Sequence, residues 1–359
     1  MSEPQSDFEV ELTQFVKRVF DNLSGFVVSG MIALGHQLGL YRALDGAGRL
    51  SSEALAAKTG LHERWVREWL RGQAAAGLLE YDGAGGFGLS TVGGLVLANE
   101  QSPAFSAGGF VGLPAQIAVI DKLRDAFRTG IGLPYDAFGC DGARGIDGSF
   151  APWFRTMLVP IALPQLDGVA AKLGAGARAA DIGCGAGTAV IEMAKAFPRS
   201  EFHGYDISQH ALALADEARR AAGVANAHFH DARREPLPED GGFDFVTAFD
   251  CLHDMTQPQA MMGAVRRALK DDGTWLIGEI NAKPSFEENL AQNPMAAMMY
   301  GFSILSCMSS SLSEPGGAGL GTLGLPEPLL REMTARAGFS RVTKHDFGNP
   351  VNAYYEVRP

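Results

Sequence analysis

Apolar positions near the start of the chain recur at three- and four-residue steps through Phe8, Leu12, Phe15, Val16, Val19, Phe20 and Leu23, the spacing of an amphipathic helix. A second helix is expected through Met31, Leu34 and Leu38. Ser51 or Ser52 can cap a short helix that stops at Gly60, and another runs from about His62 to Ala76, with Trp65, Trp69 and Leu70 turned inward. Residues 78–81 and 87–90, joined by the glycine-rich turn 82–86, predict a small hairpin. Residues 103–165 are less regular and read as connecting helices able to cover a site. From about Arg178 short apolar runs alternate with helical stretches, which predicts a parallel sheet with helices on both faces. The expected strands are 179–182, 201–205, 228–230, 243–249 and 275–280, followed by 341–347 and 353–357. Only a short connection containing Gly348-Asn349-Pro350 separates the last two, so they form an antiparallel pair. The fold class is therefore α/β: a doubly wound, seven-stranded, mostly parallel sheet with one antiparallel strand, behind a mainly helical N-terminal domain. Ser309 to Ser311 and Gly316 to Gly324 suggest a mobile loop.

Three regions follow: 1–100, in which helix, helix and hairpin stand in winged-helix order; 101–165, connecting helices; and 166–359, the sheet domain. The 30 basic residues against 41 acidic ones, a formal charge of −11, work against general attraction to nucleic acid or anionic lipid and leave a small molecule or a protein as partner. The winged-helix region itself sets Lys58, Arg64, Arg67 and Arg71 against Glu53, Glu63, Glu68, Glu80 and Asp82. That balance disfavours a groove-reading role and favours a scaffold or a homodimer contact. Cys140, Cys184, Cys251 and Cys307 show no CxxC pairing, which fits reduced thiols in the cytoplasm and gives no spacing signal for a metal. The acidic start has no apolar signal-peptide core, and no run approaches the roughly 18 apolar residues of a membrane span.

The first strand runs into Asp181-Ile182-Gly183-Cys184-Gly185-Ala186-Gly187 and then a helix. Glycines there allow a sharp turn and let a ligand lie against the backbone. A glycine-rich turn alone also serves NAD-binding folds or tight packing, but the carboxylate of Asp181 beside it suits a cationic amino-acid ligand and repels pyrophosphate. Asp206 ends the second strand, where an acidic side chain can accept two ribose hydroxyls. Asp231 follows the third, where it could take an adenine amino group while Ala232 offers its amide. Each aspartate taken singly could be an ordinary helix cap; three on successive strand ends form a joint signal.

On these residues, 177–280 resemble the Rossmann-type class I S-adenosylmethionine-dependent methyltransferases. The resemblance implies that Gly183, Gly185 and Gly187 border the methionine portion, Asp206 the ribose, and Asp231 and Ala232 the adenine, with Asp181, Cys184 and Ile207 also at the cofactor site. Phe249 and Asp250 would close the cofactor site near the reactive sulfur. The stretch from Gly39 to Glu80 is similar to the winged-helix dimerisation domain of plant-type and bacterial small-molecule O-methyltransferases. In those enzymes a Leu-His-Asp sequence after the fourth strand supplies the catalytic base and an acidic residue on the next strand orients it, here His253 and Glu279. The aromatic residue usual after His-Asp is replaced by Met255. Independently of a base role, His253 could cap the helix that starts near Gln257. The stripe containing Met298, Met299 and Phe302 either faces an acceptor or forms a dimer contact, and with Phe154 and Met157 it would make an apolar pocket for a flat aromatic or polyketide-like acceptor. Three other functions are open on this sequence: a winged-helix regulator that senses a ligand, an NAD-dependent dehydrogenase, and a protein that binds the donor for non-methylating chemistry.

Overall fold

The computed structural model describes residues 6–359; the first five residues of the acidic start lie outside them. The chain divides into two compact units, one ending at Pro114 and the other beginning at Ala115. In the first, one helix spans Asp7–Gln37 where the sequence pattern predicted two. Gly25 and Gly30 fall inside it without breaking it, and the chain turns only at Gly39, whose φ of 70° is left-handed. Ser6 and Glu9 form a reciprocal capping box at its start. Short helices Leu40–Leu44, Ser52–Thr59 and Glu63–Ala75 follow, then strands β1 (Glu80–Tyr81) and β2 (Phe87–Gly88), paired antiparallel. Val66, Trp69, Leu70 and Gln73 form the buried stripe of the Glu63–Ala75 helix and pack with Leu40, Tyr41, Leu44 and Leu55. Trp65 lies one position off that stripe and is 78% exposed, so its expected inward packing is corrected. Every residue from 6 to 27 is exposed, Phe15, Val19, Phe20 and Phe26 among them.

The second unit is built on β3 (Arg178–Ile182), β4 (Glu201–Asp206), β5 (Ala227–Asp231), β6 (Phe243–Phe249), β7 (Leu269–Ile280), β8 (Arg341–His345) and β9 (Asn352–Arg358). Their order across the sheet is β5-β4-β3-β6-β7-β9-β8, and only β9 runs against its neighbours. Strands β3 to β7 therefore finish at one edge, and the order reverses between β3 and β6, the place where open α/β sheets bind ligands. One face buries Phe243, Trp275, Val265 and Leu330; the other buries Phe202, Phe245, Leu276 and Leu173. Ahead of the sheet, helix Gly139–Trp153 continues through a widened π turn, Phe154–Ala162, which contains Pro160. Proline lacks the amide an α-turn would use, and the wider turn accommodates it. A second π turn spans Ser303–Cys307.

The segment read as a mobile loop is anchored instead. Ser309, Ser310 and Ser311 are buried, Ser311 Oγ donates to the Met255 carbonyl at 2.8 Å, and the Gly321 amide donates to the His253 carbonyl at 3.1 Å. Gly132 packs directly on the Ser309 backbone, its amide donating to the Leu312 carbonyl at 2.9 Å, and the Leu133 amide reaches Ser309 Oγ at 2.8 Å. Among the described residues no helix is long and apolar enough to cross a membrane.

Candidate active site

Buried Ala180 and Ile182 hold β3 in the sheet and carry Asp181 inward, where it is only 3% exposed and accepts a 2.6 Å bond from Thr247 Oγ1. Beyond the strand, Gly183, Gly185 and Gly187 all have positive φ. A side chain at Gly183 would meet Cys251 Cβ at 2.6 Å, and one at Gly187 would collide with the Phe229 ring. The turn therefore requires glycine for conformation and for space. It folds over the end of β4: the Gly183 and Cys184 amides donate to the Tyr205 carbonyl, while the Gly185 amide donates to Asp206 Oδ2 at 2.8 Å. Ser208 N donates to Asp206 Oδ1 at 2.7 Å, so one backbone amide fixes each carboxylate oxygen. The Cys184 thiol packs in the core and donates to the Gly185 carbonyl of the turn at 3.8 Å.

Asp206 stands opposite Asp231 in the β4/β5 register. Asp231 accepts from Gln209 Nε2 at 2.8 Å and from the Arg233 amide at 3.1 Å. The Ala232 amide donates to the Asp206 carbonyl at 2.9 Å, which corrects the expectation that it is free for a ligand. Ile207 sits on the rim, 47% exposed.

At the end of β6, Asp250 has φ 48°, the one positive value outside glycine among the described residues. Such strain persists only where the surroundings enforce it: its amide donates to the Gly278 carbonyl at 2.8 Å and Asn352 Nδ2 donates to Oδ2 at 2.5 Å. Asp250 Oδ1 is buried without a partner. The chain then makes one tight turn, Leu252–Asp254. Buried Glu279 on β7 fixes that turn from below: Oε1 accepts the Leu252 amide at 3.1 Å and Oε2 pairs with His253 Nδ1 at 2.6 Å. His253 thus does not cap the helix Pro258–Ala268, whose first turn has no side-chain cap.

Burial pushes Asp181 up to about 7, against the pull of Thr247 and with a further push from Asp206. Asp254 also rises to about 7 by burial, partly offset by His253 and reinforced by Glu279. Burial, then the Glu279 charge, raises Asp250. Burial works to lower His253, but Glu279 and Cys307 outweigh it and hold the imidazole well above its usual range. The cleft thus gathers Asp181, Asp206, Asp250, Asp254 and Glu279 around a single imidazole, an arrangement that favours a cationic ligand over an anionic one.

On the other side of the cleft, Phe154 lies 5.0 Å from Phe249, and Trp153 stacks on Tyr354 at 4.6 Å. Met157 is half-buried on the same π turn. Helix Ala296–Phe302 buries Ala296 and Met299, with Ser303 continuing the stripe; Phe302 is half-buried. Met298 falls off that stripe and is 51% exposed, so it is corrected from a pocket position to a surface one. Sequence reasoning missed Tyr135. The pinning of Gly132 and Leu133 delivers this side chain to the cleft, where burial first, and then Asp254, Cys307, Asp206 and Cys251, push its phenol upward. It also missed Cys307, whose sulfur approaches His253 and Asp254. No periodicity or motif marks either residue.

Residues 173–318 match a family model described as a methyltransferase domain, and residues 27–87 match one described as an Rv2258c-like winged HTH domain. It is 32% identical over 109 residues to the ubiquinone biosynthesis O-methyltransferase of Methylococcus capsulatus, covering 30% of this chain and 45% of that protein. It spans about half the length, or less, of the curated relatives it matches. A putative O-methyltransferase from Nostoc punctiforme shares the fold over 96% of this chain and 99% of its own, with a TM-score of 0.71 and 19% identity. Human N-acetylserotonin methyltransferase, solved with S-adenosylmethionine, does so over 100% and 99%, with a TM-score of 0.67 and 17% identity.

Proposed function

We propose that this chain is an S-adenosylmethionine-dependent methyltransferase that methylates oxygen on a small, apolar or aromatic molecule. The observation that carries the reading is the buried cleft where the β3 turn, Asp206 and the His253–Glu279 pair meet. Its fit to the donor rests on the glycine turn that a side chain would fill, the carboxylates that suit a cation, and Asp250 Oδ1, a buried acceptor without a partner. Asp181 and the backbone of the Gly183–Gly187 turn would hold the amino-acid end, Asp206 and Ile207 the ribose, and Asp231 with the Ala232 rim the adenine. Phe249 and Asp250 would lie near the sulfonium. When bound, the donor supplies an electrophilic methyl group.

The protein's part is alignment and proton removal. Glu279 holds the imidazole by Nδ1, leaving Nε2 to take the proton of an acceptor hydroxyl. Phe154, Met157, Met299 and Phe302 would present the acceptor's apolar body to the cleft, with Tyr135 covering it. A titration calorimeter separates this reading from dehydrogenase chemistry. S-Adenosylhomocysteine should bind with micromolar or tighter affinity and NAD should not; NAD binding without S-adenosylhomocysteine binding would overturn the assignment.

The free thiols suit the cytoplasm. A second copy of the chain is our proposal for the occupant of the exposed apolar stripe of helix Asp7–Gln37, because an isolated helix showing so much apolar surface to water is poorly supported. A DNA-binding role for the winged helix has the acidic balance of its charges against it.

A further inference from the structure

Cys307 ends the second π turn and meets the His253 turn although the two are far apart in sequence. One imidazole nitrogen of His253, one carboxylate oxygen of Asp254 and the Cys307 sulfur all lie within 4.8 Å of one another. Ligand atoms about 2.0 to 2.3 Å from a tetrahedral zinc ion stand roughly 3.3 to 3.8 Å apart.

Three further features point the same way. Glu279 grips His253 Nδ1 at 2.6 Å, the outer carboxylate–histidine contact that orients an imidazole and leaves Nε2 for a metal. Glu279 is itself fixed by the Leu252 amide at 3.1 Å. The donor set combines a thiolate, an imidazole and a carboxylate, which suits Zn2+ or Co2+ and not Mg2+ or Ca2+, both of which demand oxygen. The groups facing the site are Asp250, Asp206, Glu279, Cys251 and Tyr135, and none of them is a lysine or arginine that would oppose a divalent ion.

We infer that His253, Asp254 and Cys307 form a binding site for a single zinc-class divalent cation, with Glu279 as the outer partner of His253. Three protein ligands leave a fourth position open toward the cleft for water or for a heteroatom of a bound molecule. The absence of a CxxC spacing does not bear on this site, because its ligands come from two separate turns that only the fold brings together. Occupancy engages the His253 nitrogen that the proposed reaction needs as a base. On the methyltransferase reading, the ion is then a reversible inhibitor.

The test uses the full chain, stripped with a chelator, kept reduced, and titrated with Co2+ in the absence of donor and acceptor, so its outcome does not depend on whether the chain methylates anything. The expected result is one Co2+ per chain with a thiolate-to-metal absorption band in the near ultraviolet and tetrahedral bands in the visible, displaced by stoichiometric Zn2+. Cys307→Ser should abolish the near-ultraviolet band, and Asp254→Asn should weaken binding at least about tenfold; thermal melts of both variants verify that they fold. No saturable one-to-one binding, or a thiolate band that survives in Cys307→Ser, would overturn the site.

Discussion

The two nitrogens of His253 are in different situations. Nδ1 is committed to Glu279 at 2.6 Å, so any proton exchange with a bound molecule falls to Nε2. Because Glu279 and Cys307 hold the imidazole above its ordinary range despite burial, it must give up a proton before it can accept one. A sulfonium bound alongside would favour that loss. His253→Ala should therefore reduce single-turnover methyl transfer to a hydroxyl acceptor by about 10²- to 10⁴-fold, the range for a lost general base. S-Adenosylhomocysteine affinity should hardly change. Asp206→Ala should show the reverse, a donor weakened by roughly 1.5 to 3 kcal/mol, or about ten- to a hundredfold, with the acceptor step spared. Equal losses in both variants would mean that neither residue has the separate role assigned to it. These residues were legible because each stands where a strand ends, a place the sequence marks by a switch from apolar run to turn. Tyr135 and Cys307 were not, since a 3₁₀ turn and a π turn carry no apolar period and their partners lie far along the chain. The role of the Ala232 amide was misjudged for a related reason: the β4/β5 ladder continues one residue further than the apolar pattern suggests.

The strands of the second unit lie where their apolar runs predict, except that β7 starts six residues earlier than expected, at Leu269, and the periodic N-terminal stretch forms one helix in place of two. The strands of the second unit could be read because buried runs such as Phe243–Phe249 are flanked by turn residues. Where the period fails, tertiary contacts decide. The stretch from Ser309 to Gly324 is rich in serine and glycine, the composition of a flexible loop, yet its hydroxyls and amides tie it to the His253 turn. The opposite case is helix Asp7–Gln37. Its apolar stripe is plain in the sequence, but in the single chain the stripe faces water. If a second copy covers it, the double substitution Phe15→Glu and Phe20→Glu should place charges in that contact and halve the mass seen by light scattering. S-Adenosylhomocysteine should still bind, because the cleft is built wholly from the second unit. An unchanged mass would remove this helix from the interface.

Across the whole molecule, an acidic chain concentrates carboxylates where its sheet opens, and pH becomes a handle on ligand binding. Asp181 and Asp254 have folded values near 7, and Asp250 is also raised, whereas an unfolded aspartate titrates near 3.9. Groups raised on folding contribute stability that is complete below about pH 4 and is lost as pH climbs through 7. The ligand-free protein should accordingly lose thermal stability progressively between roughly pH 4 and 8, as these carboxylates ionise in the unfolded chain before they do in the folded one. A sulfonium and an ammonium favour the ionised carboxylates and disfavour the protonated imidazole, so donor binding should release protons from both kinds of group. The donor's association constant should rise with pH through this window, and calorimetry at pH 7 in buffers of different ionisation enthalpy should report net release. Net uptake, or an affinity that falls as pH rises, would show that the cleft carboxylates do not face the cationic end of the donor. The same experiment with S-adenosylhomocysteine, whose sulfur is neutral, isolates the part of the release that belongs to the sulfonium. A smaller release with this analogue would place the methyl-bearing sulfur against Asp250 and Asp254, and an equal release would place the coupling at the amino-acid end, beside Asp181.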